Sequence, residues 1–196
     1  MSRWIEPVTL TGQHVSLEPL RIEHADALAA AAADGELYRL WYTTVPEPGA
    51  ERAYIETALA MRDDQGAHPF AVRELASGEI VGTTRYLNVE AAHRRLEIGA
   101  TWYAKRVQRT LLNTEAKLLL LAHAFDQLNA NAVEFRTHFM NHASRAAIAR
   151  LGAKQDGILR NHMIGRDGVL RDTVVFSIIA GEWPAVRANL LFKLAR

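Results

Sequence analysis

The 196-residue chain contains no cysteine. That excludes a disulfide scaffold, a thiolate metal site and a cysteine nucleophile. Net charge is also nearly absent, since 23 Lys and Arg against 22 Asp and Glu leave a formal +1. A dedicated nucleic-acid binder would show its basic face in that total, so nucleic acid is not an expected partner. No apolar run approaches the roughly 20 residues of a membrane span, and "MSRWIEPVTL" lacks the apolar stretch of a secretion signal. A cytoplasmic protein without a membrane partner is the expectation. The eight histidines show no metal-ligand spacing, so no metal is expected either.

What is present is ordinary for a globular chain: 49% hydrophobic and 23% charged residues, over a length suited to one domain spanning 1–196. Residues 8–20, "VTLTGQHVSLEPL", predict two short strands around Thr11-Gly12-Gln13. Helices are expected over Ile22–Ala33 and Ala50–Arg62, with an irregular aromatic and proline-bearing segment between them. "HPFAVREL", "EIVGTTRYLNV" and "RRLEIGATWYA" alternate as three antiparallel strands. A buried helix over Thr114–Leu128 and a strand in "NAVEFRTHFM" follow. "NHASRAAIARLG" is a short helix with Asn141 as N-cap and Gly152 as its stop. Two strands around the turn Arg166-Asp167-Gly168 precede a terminal helix over 183–196, with Val186, Leu190, Leu191 and Leu194 along one side. The fold class is α+β, with a mostly antiparallel sheet.

The stretch "WYAKRVQRTLLNTEAKLLLL" places Lys105, Arg106, Gln108 and Arg109 just ahead of a helix N-terminus. Such a terminus already presents unpaired N–H groups, so donors and cations there point to an anionic ligand of the phosphate type. Leu111 and Leu112 stand where a phosphate turn usually has glycine.

The element order resembles the GCN5-related N-acetyltransferase (GNAT) fold over nearly the whole chain. The likeness is sharpest in "LEIGATWYAKRVQRTLLNTEAKLLLLAHAFDQL", "EFRTHFMNHASRAAIARLGAK" and "GILRNHMIGRDGVLRDTVVFSII", which are similar to the ribosomal-protein N-terminal acetyltransferase branch. The resemblance implies a sheet that splays open near Trp102 and Thr137. It also implies acetyl-CoA as co-substrate and a primary amine as acceptor, either a protein N-terminus or a small amine. The cofactor-binding positions it implies run from the strand end at Trp102 and Tyr103, through Gln108, Arg109, Thr110, Leu111, Leu112, Asn113 and Thr114, to Asn141 and Ser144. The family pattern is Gln or Arg, two residues, Gly, one residue, then Gly or Ala. Gln108 keeps the first position, while Leu111 replaces a glycine that would allow a positive φ and close phosphate approach.

Glu97, in "LEIG", is the first candidate general base. The competing reading has it pairing with Arg95 or Arg136. His138 is the alternative base. Ser144 is a candidate donor to the leaving thiolate, and Asn141 serves as N-cap or pantetheine contact, or both. Trp41 and Tyr42 are expected acceptor-pocket walls or core aromatics. Arg160, Arg171 and Asp172 are expected to tie the last two strands together, and His123 to be packed. A non-catalytic acyl-CoA-binding module, or an interaction protein with a degenerate phosphate turn, is the alternative function. Monomer and homodimer both remain open.

Overall fold

The computed structural model describes residues 4–165 and 168–196. Its N-terminal hairpin is β1 (Leu10–Thr11) and β2 (Val15–Pro19). A buried carboxylate clamps this turn. Glu115 accepts the backbone N–H groups of Gln13, His14 and Val15 at 2.8, 2.7 and 3.0 Å. Gly12 makes room for it, because a Cβ there would lie 2.4 Å from the Glu115 carboxyl carbon.

Helices α1 (Ala25–Ala33) and α2 (Glu51–Gln65) follow, the second stopped by Gly66 at φ +67°. The first begins three residues later than expected, since Ile22–His24 form a 3₁₀ turn. Strands β3 (His68–Glu74), β4 (Ile80–Glu90) and β5 (Arg95–Tyr103) pair antiparallel, as their alternation predicts. Helix α3 (Leu111–Ala122) widens into a π-helical turn over His123–Gln127. After it come β6 (Ala132–His138), α4 (His142–Leu151), β7 (Lys154–Ile164), β8 (Leu170–Ile179) and α5 (Trp183–Leu194). Of the turn expected at Arg166-Asp167-Gly168, Arg166 and Asp167 lie outside the described residues, while Gly168 has φ +78°.

The strands form one mixed sheet in the order β1-β2-β3-β4-β5-β6-β8-β7. Among the described residues its single parallel contact, β5 with β6, comprises Arg95↔Ala132, Leu96↔Val133 and Glu97↔Glu134. Beyond Glu97 the two strands part, giving the V-shaped splay. Helix α3 packs under one face, where the Tyr86 hydroxyl donates to the Leu120 carbonyl at 2.7 Å. His123 stacks on Tyr86 there and is packed as expected. Helix α2 covers the opposite face, where the Arg85 guanidinium lies 4.6 Å above the Tyr54 ring.

Helix α5 packs on α3 and α4. It buries Val186 and Leu190, but Leu191, expected on the same side, is 50% exposed. No helix among the described residues is long and apolar enough to cross a membrane.

Candidate active site

The cleft begins where β5 and β6 stop pairing, and its geometry follows from a fault in the ladder. Register slips between Thr83 and Arg85, and Ala100 takes φ +47° on the facing strand. This bulge bends β5 outward. From Ile98 to Tyr103 the strand pairs only with β4, so its other backbone edge faces the cleft. The side chains of Trp102 and Tyr103 turn inward instead. The Trp102 indole donates to the Tyr54 hydroxyl at 3.2 Å, and the Tyr103 hydroxyl is buried without a partner among the described residues, its pKa raised by desolvation. These two positions can therefore offer a ligand backbone, not side chains.

The turn ahead of α3 is organised differently from its appearance in sequence. The Arg106 guanidinium is bound to Glu74 at 2.5 Å and Glu79 at 2.7 Å, so it braces the β3–β4 turn. Gln108 donates to the Tyr103 carbonyl at 2.9 Å. Thr110 caps the helix, accepting from the Leu112 N–H and donating to the Val107 carbonyl. Thr114 is buried, whereas Leu111 and Asn113 are partly exposed at the helix start. The positive φ belongs to Arg109, at +63°, and Leu111 is simply the first helical residue. The expected backbone conflict at Leu111 is thus corrected. What remains of it is the bulk of leucine beside the unpaired first-turn N–H groups.

Glu97 sits at the apex of the splay, 6% exposed. Its carboxylate folds over Gly99, where a Cβ would stand 2.5 Å from Oε1. Asn88 Nδ2 donates to it at 2.7 Å, and Arg136 Nε lies 3.5 Å away. Of the two pairings anticipated, Arg136 is the one formed, while Arg95 binds Glu134. Burial raises the Glu97 pKa, and the opposing pull of Arg136 and Asn88 does not cancel it.

Cross-strand partners share a face of a sheet. Arg85↔Gly99, Leu87↔Glu97, Glu97↔Glu134, Glu134↔Ser177, Arg136↔Val175 and His138↔Thr173 therefore line one wall. His138 is at the rim. Its Nδ1 accepts the Met140 N–H at 3.0 Å, and its ring meets Trp41 edge-on at 4.9 Å. Trp41 in turn contacts Tyr42 at 5.6 Å and is 59% exposed, so Trp41 stands at the rim rather than in the core, with a partly exposed Tyr42 beside it. Asn141 does cap α4, accepting the Ser144 N–H at 3.0 Å. The Ser144 side chain is partly exposed in the first turn of that helix.

One tie between the last strands is not as expected. Asp172 binds Arg160 at 2.6 Å, but Arg171, one residue earlier, projects to the cleft wall and into the field of Glu97. The sequence reading also missed Lys117. This lysine is fully buried under the bulge, donating to Thr101 Oγ1 at 2.9 Å, and Thr101 in turn meets Thr84 Oγ1 at 2.7 Å. Its signal was visible: it is the one cation in "EAKLLLLA".

A sheet splayed beside a helix N-terminus, with a bulged strand edge open to the cleft, is the candidate active site. The family comparison gives its class. Residues 14–154 match the model of the acetyltransferase (GNAT) domain, and the chain belongs to that family. A Bacillus subtilis (strain 168) protein provisionally named ribosomal N-acetyltransferase YdaF is 27% identical over 175 residues, covering 87% of this chain and 94% of that protein. A GCN5-related N-acetyltransferase from Brucella melitensis is 32% identical with TM-score 0.84, covering 97% of this chain and 86% of its own. The structure of Mycobacterium smegmatis RimJ in complex with CoA-disulfide has TM-score 0.79 at 24% identity, covering 97% and 96%. That likeness is one of fold.

Proposed function

We propose that the protein transfers an acetyl group from acetyl-CoA to a primary amine, on a protein N-terminus or a small molecule. The observation that carries this reading is the end of β5–β6 pairing at Glu97↔Glu134, which opens a bulged strand edge beside a near-buried carboxylate. Acetyl-CoA supplies the thioester acyl group. The first-turn N–H groups of α3 and the Arg109 cation suit its pyrophosphate. Backbone N–H groups of β5 that face the cleft stabilise the charge developing on the acyl oxygen. Glu97 accepts the proton of the attacking amine, and its raised pKa brings its basicity closer to neutral pH. Ser144 is placed on α4 to donate toward the departing sulfur, directly or through water.

Acetyl-CoA should raise the melting temperature of the protein, and thiol release should then appear with members of an amine and N-terminal-peptide panel, with products identified by mass spectrometry. No thermal shift at millimolar acetyl-CoA would remove the acyl-CoA reading and leave a protein-interaction module.

The turn gives a further expectation. Leu111→Gly should lower apo stability by about 0.5–1 kcal/mol, because glycine weakens a helical position. It should also enlarge the acetyl-CoA thermal shift by removing bulk from the helix start. An unchanged shift would show that the Leu111 side chain already lies clear of the ligand.

A further inference from the structure

The wall around Glu97 holds more guanidinium than carboxylate. Glu134 is shared by Arg95 and Arg136, and Arg136 also reaches Glu97. Arg171 and Arg85 have no carboxylate within ion-pair distance among the described residues. Each also has an Nε that is buried with no hydrogen-bond acceptor. Arg85 is 5% exposed, and among the described residues its guanidinium has the Met61 sulfur at 3.7 Å and the Tyr54 ring as partners. Arg171 is half-buried on the same face, beside Thr173 and within the field of Glu97.

A guanidinium does not shed its proton to relieve such a situation, and a buried charge or donor without a partner is costly. Arginine presents a planar fork that suits a carboxylate. A fork left open on the wall that carries a candidate base is suited to an anion. Arg171 lies two residues from Thr173, the partner of His138 at the rim, and it stands within the field of Glu97 at the apex. One acceptor lying along the wall could therefore place an anion on the first and an amine on the second.

We infer that the acceptor is an amine bearing a nearby carboxylate, and that Arg171 holds that carboxylate while Glu97 receives the amine. Arg85 adds to the positive field of the wall. This rests on the acetyltransferase reading and narrows its substrate class. Two sources offer the same chemistry: a free amino acid, or a peptide whose N-terminal residue is acidic.

The test uses matched pairs. Amino acids are compared with their carboxamides, and peptides beginning with Asp or Glu with those beginning with Asn or Gln. Acetyl-CoA binding is followed separately by thermal shift. The carboxylate member of at least one set should have the higher kcat/KM, by about tenfold or more. The set that discriminates identifies the source. Arg171→Gln should abolish that preference mainly by raising KM for the carboxylate member, while a role confined to tuning Glu97 would instead lower kcat for both members alike. Acetyl-CoA binding without discrimination in any pair, or a preference that survives Arg171→Gln, overturns this inference and leaves the acyl-CoA reading intact. Absence of acetyl-CoA binding overturns both.

Discussion

Glu97→Gln should lower turnover by about 10²–10⁴-fold, the usual worth of general-base assistance, while the acetyl-CoA thermal shift persists. The amide keeps the shape of the carboxylate over Gly99 but cannot accept the amine proton. The hydrogen bond from Asn88 at 2.7 Å can still be made to the amide oxygen, so the apex should hold its form. Glu97 is buried and its pKa raised, so the acid limb of the wild-type kcat/KM profile should lie above the ordinary carboxylate range. That limb should vanish in the variant. A loss under about threefold would be too small for a principal base. His138→Ala becomes the next substitution in that case, since His138 stands at the rim of the same wall against Trp41.

Local features were legible where the chemistry is local. Asn141 and Gly152 bracket α4 as read, because an N-cap and a left-handed C-terminal glycine act within one turn of their own position. The three-strand meander was equally clear from alternation. The splay was another matter. Nothing in β5 or β6 taken singly says that their pairing ends after three residues, and the expectation came from family likeness.

The site was harder, for reasons that differ residue by residue. Arg106 looked like part of a phosphate turn, yet its partners Glu74 and Glu79 lie 32 and 27 residues away. No short-range pattern reveals such a pairing. Leu111 attracted attention because a glycine was expected there, while the strained backbone angle fell on Arg109, where the 3₁₀ turn meets the helix cap. Arg171 could have been placed better from sequence. Successive strand residues face opposite sides, so Arg171 and Asp172 could not both bind Arg160 in the way Asp172 does.

Lys117→Met should stabilise the protein at neutral pH by roughly 1–4 kcal/mol, the range seen when well-packed apolar groups replace buried charge. Lys117 is fully buried, and desolvation lowers its pKa to about 7. In the unfolded chain a lysine keeps its proton to about pH 10.4. Between those values the unfolded state binds more protons, so wild-type stability should rise with pH, by up to about 1.36 kcal/mol per unit. Below pH 7 both states are protonated, and the burial penalty stands at its full size. Methionine keeps an unbranched apolar stem and removes the titrating group. Thr101 loses one donor but retains its hydroxyl contact with Thr84, so the bulge keeps part of its support. Urea denaturation at pH 6, 8 and 9.5 would read the effect. The wild type should gain stability across that series, and the Met variant should lose most of the gradient attributable to this residue. A wild type whose stability does not rise from pH 6 to 9.5, or a Met variant weaker at every pH, would show that the Thr101 hydrogen bond outweighs the cost of burying the amine.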